Sequence, residues 1–226
     1  MIELRHVMLS EPIIIKKEIL TNVVFETSNH FYVFLKDIND AYAGNTENID
    51  FIQNEKEYNF RTKAIFISDI ISYEINSRKV KNELLKSISE LADDDFQKEI
   101  ENINKQLLEL INNKITLWGD IYFRDEIPII DYLKLFEFEV NDVDKSLIEK
   151  IMIWIKSFID LYQIDFYVFV NLFDFLNKEE IEILNSFCQQ EKITILVVTR
   201  HNYSELTAFI HQYIVDKDTY LIHRSV

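Results

Sequence analysis

The chain has 226 residues, with 24 Lys and Arg against 39 Asp and Glu, a formal charge of −15 and 48% apolar residues. That length and apolar content support a folded core and exclude a disordered acidic tail, while the charge opposes indiscriminate attraction to DNA or anionic lipid. Two glycines and one cysteine, Cys188, exclude most glycine-rich phosphate loops, a disulfide framework and a thiolate metal site, and fit a reducing compartment.

Met1 is followed by Ile2, Glu3 and Leu4 rather than by a basic region and an apolar run, so no secretory signal is expected. The apolar runs fall short of the ~20 residues a membrane span needs, and the expectation is a cytoplasmic protein with no membrane partner. Residues 2–9 and 13–16 flank Glu11-Pro12 and predict two short strands joined by a turn. Asn22–Phe25 predicts another strand, after which Thr27 or Ser28 caps a helix reaching Ile38, and Gly44, Asn45 and Thr46 form a polar loop. A phosphate loop would lie in this strand–turn–helix. The turn instead reads Glu26-Thr27-Ser28-Asn29, with no glycine to let backbone N–H groups approach a phosphate and no lysine to neutralise it. Glu26 would repel the anion, which argues against nucleotide turnover.

Ala64–Ile67 is a brief apolar run, and a helical period follows. Val80, Leu84, Leu85, Ile88 and Leu91 form one stripe. After Asp93-Asp94-Asp95, residues Phe96, Ile100, Ile103, Leu107 and Leu110 form another. The spacing predicts an αα-hairpin with an acidic turn and a narrow apolar seam, suited to a projecting arm. Arg78, Lys79 and Lys81 open its first helix, Lys86 follows about two turns on, and Arg61 and Lys63 precede it. These cations read either as a solvated face with partners such as Glu83 and Glu90, or as a restricted phosphate-binding surface.

Asp120, Asp125, Glu126 and Asp131 fall close together around Pro128, which opens a helix carrying Asp131 in its first turn. The pattern admits two readings. Asp125 or Glu126 caps that helix and complements its dipole, or the carboxylates hold a hard cation such as Ca2+, which takes roughly six to eight oxygens.

Leu147–Leu161 is apolar nearly all round and predicts a buried helix. Phe166–Val170 and Ile193–Val198 read as central parallel strands, and the first ends at Asn171, where a nucleotide hydrolase would carry a Mg2+-holding carboxylate. Asn177 with Glu180 makes a capping box for a helix to Cys188, and Ser204–Tyr213 is expected to be a short helix. The five histidines, His6, His30, His201, His211 and His223, fall in no triad context, and no catalytic residue is assigned. The fold expected is α/β: a parallel-sheet head of residues 1–62 and 146–226, with a helical unit of residues 63–145 inserted.

Four segments carry a resemblance. They are Ile65-Phe66-Ile67-Ser68-Asp69-Ile70-Ile71-Ser72-Tyr73-Glu74-Ile75-Asn76; Val168-Phe169-Val170-Asn171 with Asn177-Lys178-Glu179-Glu180-Ile181; Ile214-Val215-Asp216-Lys217-Asp218-Thr219-Tyr220-Leu221; and Leu9-Ser10-Glu11-Pro12. In that order they resemble the Csn-two family in its short form, a CRISPR-associated adaptation protein of subtype II-A systems. The resemblance implies a head related to P-loop ATPases but lacking the nucleotide site, and an inserted helical leg. It further implies a ring-shaped homotetramer whose channel holds double-stranded DNA, preferring ends, with Ca2+ supporting ring and binding. It implies a non-enzymatic role in spacer acquisition during antiviral defence, beside the CRISPR integrase complex and the RNA-guided effector nuclease. Carried over, the Ca2+ set is Asp120, Asp125, Glu126 and Asp131, with one residue more between Asp120 and Asp125 than the family pattern and Arg124 interrupting the acids. If the legs line the channel, Arg78, Lys79, Lys81 and Lys86 meet the DNA, with Arg61 and Lys63 adjoining in sequence. The competing readings are a metal-dependent nuclease or degenerate P-loop NTPase working through Asp120–Asp131, and a purely protein-binding scaffold.

Overall fold

The computed structural model describes residues 1–71, 74, 76–115, 127–141 and 143–224. It divides into two compact units, Met1–Tyr73 with Asp144–Val226, and Glu74–Val143.

The larger unit is built on two sheets. In the smaller sheet, β1 (Ile2–His6) pairs antiparallel with β2 (Ile13–Ile15) and with β4 (Ile49–Gln53), which pairs with β5 (Lys56–Glu57). Ile2, Leu4 and His6 are buried while Arg5 faces solvent, the period of two of a one-sided antiparallel sheet. The larger sheet has the order β10 (Leu221–Arg224), β9 (His211–Val215), β3 (Thr21–Phe25), β8 (Thr194–Thr199), β7 (Phe166–Val170) and β6 (Ala64–Ile67). All neighbours are parallel except β10 on β9. β3, β7, β8 and β9 are buried at every position, as strands covered on both faces must be.

Alternate residues of β7 show how those faces are covered. Phe166 and Val168 join Phe34 and Ile38 of α1 (Ser28–Ala43) and Ile2, Leu4 and Phe51 of the small sheet in one core. Tyr167 and Phe169 face the other way and meet the ring of Trp154 on α6 (Leu147–Tyr162). α7 (Lys178–Glu191) contributes buried Ile181, Leu184 and Cys188. Its capping box is formed as expected, with Asn177 Oδ1 accepting from the Glu180 N–H and the Glu180 carboxylate accepting from the Asn177 N–H.

Three expectations are corrected. Ala64–Ile67, assigned by sequence to the inserted unit, is the edge strand of the large sheet, in register from Ala64 opposite Phe166 to Ile67 opposite Phe169. The short helix α2 (Phe60–Lys63) precedes it. Of the helix expected over Ser204–Tyr213, only a 3-10 turn at Ser204–Leu206 forms, because His211–Val215 is needed as a strand between β3 and β10. The helix α6 buries one face, Ile148, Ile151, Trp154, Ile155 and Phe158, and leaves Met152 and Ile153 half-exposed.

The smaller unit holds α3 (Arg78–Glu90), α4 (Asp94–Ile115) and α5 (Ile129–Lys134). Ser77 caps α3 by accepting from the Val80 N–H, and Asp93 accepts from the Phe96 N–H at the start of α4. The closest partner of α3 is α5 rather than the α4 expected from the seam, with Val80 and Leu133 buried. On α4, Phe96, Ile103, Leu107, Leu110 and Ile111 remain between 41% and 64% exposed.

One buried polar pair joins β1 to α1. His6 Nε2 and Asp37 Oδ2 are 2.9 Å apart, His6 Nδ1 accepts from the Met8 N–H at 3.1 Å, and Asn48 donates to Asp37 Oδ1. With Nδ1 accepting, the ring is neutral and donates from Nε2. Protonation would set two N–H groups against each other, and burial holds the His6 pKa below 6.5 despite the raising effect of Asp37. The unfolded chain therefore takes up a proton at a pH where the folded chain does not. Stability is full above pH 6.5 and is lost as pH falls below it toward the lowered folded value. His211 and His223, lowered first by burial and then by the Lys16 charge, add the same sign. Thermal unfolding across this range should show a shallower acid limb for His6→Gln than for the natural chain. An unchanged slope would remove His6 as a contributor.

Candidate functional site

Ligands of open parallel sheets sit at the carboxyl ends of the strands. There β3 runs through Glu26 into α1, whose N-cap Thr27 accepts from the His30 N–H. Glu26 is tied on three sides. Its N–H donates to Val215 O at 3.0 Å, its carboxylate accepts from the Lys217 N–H at 3.2 Å, and its carbonyl accepts from Arg200 Nη2 at 3.3 Å. A negative side chain thus stands where a phosphate would go, and its own hydrogen bonds are spent within the protein. At the end of β7, Asn171 adopts a left-handed conformation (φ 53°) that starts a 3-10 turn, a backbone role asparagine tolerates well.

The same edge carries a cluster that sequence reasoning missed. Asp174 accepts from the Tyr203 hydroxyl and lies 2.8 Å from His201 Nδ1. Burial first, then the Asp174 hydrogen bond, raises the Tyr203 pKa. The carboxylate thereby orients the imidazole and fastens the loop after β8 to the turn after β7. These residues stand 27 and 29 positions apart in three unremarkable contexts, so no local signal could have joined them. Cys188 is fully buried and its thiol pKa is pushed up, which makes it an inert core residue.

The cations singled out by sequence fall in both units. In the larger, Arg61 lies on α2 beside Gly44, where a Cβ would come within 3.2 Å of Arg61 Nη1; Gly44 also closes α1 at φ 103°. Lys63 ends α2 and its carbonyl accepts from the Tyr58 hydroxyl at 2.8 Å. In the smaller unit, Arg78 and Lys81 line a cleft of about 500 Å³ with Leu85, Lys134, Glu137 and Glu139. Asn76 shapes it: its side chain donates to Val140 O at 3.0 Å and accepts from the Val140 N–H at 2.8 Å, fastening the segment before α3 to the segment after α5. Lys81 pairs with Glu139, and Lys86 reaches Glu83 at 3.3 Å and Glu90 at 3.9 Å. Among the described residues Arg78 has no carboxylate within ion-pair distance. Lys86, eight positions from Arg78, is turned about 80° round the helix, so it does not share the cleft. The side chain of Lys79 lies outside what is described.

Of the expected metal ligands, Asp120, Asp125 and Glu126 lie outside the described residues. Asp131 stands in the first turn of α5 and accepts from Lys134 Nζ at 2.8 Å, so in this arrangement it is a lysine's partner. The cap expected from Asp125 or Glu126 is displaced: Pro128 occupies the N-cap of α5, with no side-chain cap bond. Among the described residues no group of three or more His, Cys, Asp or Glu is placed to hold a metal ion. Lys134, which sequence reasoning passed over, was signalled only by its i+3 spacing from Asp131.

Comparisons with known proteins agree on a direction. A family model described as CRISPR-associated protein (Cas_Csn2) matches residues 41–219. A CRISPR-associated protein Csn2 of Streptococcus agalactiae is 24% identical over 237 aligned positions that cover all of both chains. Among solved structures, an ATP-binding subunit of an ABC transporter superposes with a TM-score of 0.51 at 12% identity, covering 100% of this chain and 90% of that one. A nucleotide-free ATP-binding cassette of another ABC transporter gives 0.49 at 11% identity, covering 98% and 89%. The first of these likenesses shows the fold, a parallel-sheet α/β head of the kind seen in P-loop ATPases.

Proposed function

Because the chain belongs to the CRISPR-associated Csn2 family, we propose that it is a non-enzymatic, Ca2+-dependent, ring-shaped homotetramer that binds double-stranded DNA ends without sequence specificity during spacer acquisition. The observation that carries this reading is the span of the family match, which runs through both compact units rather than through the common α/β head alone.

Three features support it. The Glu26 turn disfavours phosphate, consistent with a head that no longer turns over nucleotide. The exposed stripe of α4 leaves apolar surface for another copy to cover. The Arg78–Lys81–Lys134 cleft gathers three cations, of which Lys81 and Lys134 would exchange Glu139 and Asp131 for the phosphates of a threaded duplex. Ca2+ would be held by Asp120, Asp125 and Glu126, and by Asp131 only if Lys134 yields its place. The CRISPR integrase complex and the RNA-guided effector nuclease are the protein partners of this reading, in the cytoplasm. Among the described residues no helix is long and apolar enough to cross a membrane.

Light scattering with Ca2+ and then with chelator, adding linear and circular duplexes to each, tests the proposal. A Ca2+-stabilised tetramer that retains only linear DNA is expected. Mass and retention indifferent to Ca2+ would overturn the metal role, and cleavage of the duplex in Mg2+ or Mn2+ would favour a nuclease instead.

A further inference from the structure

The helix α6 has the composition of a helix buried on all sides, yet the fold covers only one of its faces. Ile151, Trp154, Ile155 and Phe158 satisfy the sheet, as do Ile181, Leu184 and Cys188 on α7. Met152 and Ile153 are left over on the outer side, and so are Ile183 and Phe187 on the neighbouring helix. Together they floor an open groove of about 890 Å³ between the two helices. Ile183 is 48% exposed. Apolar side chains that the fold does not use, gathered along one groove, mark a surface that another molecule covers.

The rim states what kind of molecule. Asp160, Glu179, Glu182 and Glu191 line the groove against a single lysine, Lys156. That lysine is already engaged, at 2.7 Å from Glu191 and 3.6 Å from Asp160. Glu182 has only a distant partner, Lys178 at 4.0 Å. The groove is therefore apolar along its floor and negative along its edges. A groove walled by two helices, with an apolar floor, accepts an amphipathic helix, whose anchors recur at i, i+3, i+4 and i+7. The charge of the rim requires that helix to be basic on its flanks. A second copy of this chain is a poor occupant of this groove, because symmetric pairing of the groove with itself sets acid against acid.

We propose that the α6–α7 groove is a docking site for a basic amphipathic helix of a partner protein. The site is separate from the DNA-binding reading, and it is tested with neither DNA nor Ca2+ present. The probe is a fluorescent synthetic 18-residue helix of leucine and lysine in amphipathic order, compared by anisotropy with the same peptide carrying glutamate for lysine, at physiological salt. The full chain should bind the basic peptide and not the acidic one. Ile183→Asp, at an exposed position that leaves the core intact, should weaken binding about tenfold or more, as loss of a central apolar anchor does. Glu179→Lys with Glu182→Lys should weaken it similarly and reduce its salt dependence. Equal binding by Ile183→Asp would mean adsorption to an acidic surface and would overturn the proposal. A fall in particle mass of Ile183→Asp without peptide would also overturn it, by assigning the groove to contacts between copies. Circular dichroism and melting of each variant confirm that the fold is retained.

Discussion

Ile103→Glu with Leu107→Glu should at least halve the particle mass of the proposed tetramer in the presence of Ca2+. Ile103 and Leu107 lie one turn apart on α4 and are 46% and 41% exposed. Covering such side chains contributes roughly 1.5–3 kcal/mol each when complete, and a buried unpaired carboxylate costs more than the lost methylenes. In a symmetric contact each change is felt twice, since the same patch serves both copies. Each side chain leaves 41–46% of its surface uncovered by its own chain, so the melting temperature of the dissociated species should fall far less than the assembly does. Light scattering together with circular dichroism reads both quantities. An unchanged mass would mean that the stripe is covered by something other than another copy.

The second large effect concerns charge. Arg78→Glu with Lys81→Glu should abolish retention of linear duplex at salt concentrations where the natural chain holds it. Each phosphate contact changes log K by about 0.9 for every tenfold change in salt, so losing one near 0.1 M salt costs roughly tenfold in affinity. Two lost contacts should therefore lower affinity on the order of a hundredfold, and reduce the salt slope by about two, for every chain of the ring whose α3 meets the duplex. The pairing of Lys81 with Glu139 supplies a companion test of opposite sign. Glu139→Gln frees the lysine and should tighten binding, with the effect vanishing in the Lys81→Glu background. If end-binding survives the double reversal, α3 is not the surface that meets DNA. Lys105 and Lys114, exposed on α4, are then the next positions to reverse.

The parts of this fold that were legible in the sequence are those whose cause is local. Phe166–Val170 announced a strand buried on both faces because five apolar residues in a row leave no side for water. Asn177 and Glu180 announced a helix start because a capping box is complete within four residues. The misreadings are long-range. His211–Val215 has spacing a helix would accept, but its partner strand lies near the other end of the chain, where Asn22 Nδ2 donates to Gln212 Oε1 at 3.2 Å. Ala64–Ile67 looked like the start of the arm because the strand it pairs with comes only after the arm is finished. The α3 stripe was rightly seen as a contact surface, but periodicity says only that a face is apolar, not which helix answers it, and α5 answered.

The candidate site was legible to a lesser degree. The missing phosphate loop is legible in the turn Glu26-Thr27-Ser28-Asn29, which has neither glycine nor lysine, whereas the ties that hold Glu26 in place come from Lys217 and Arg200, both remote in sequence. The α3 cations were found, but their neutralisation was seen only within the helix; Glu139 lies 58 positions from Lys81. The cluster of Asp174, His201 and Tyr203 is set by the convergence of two strand ends, which no spacing records.

The paired hydrogen bonds between Asn76 and Val140 make the helical arm a detachable part. Asn76 and Val140 lie near the two ends of the smaller unit, so the residues between them close a loop whose ends are already met. The cost of such closure grows only slowly with length. A short turn joining 76 to 140 should yield a head that folds alone, on which questions about the α6–α7 groove can be asked without the arm.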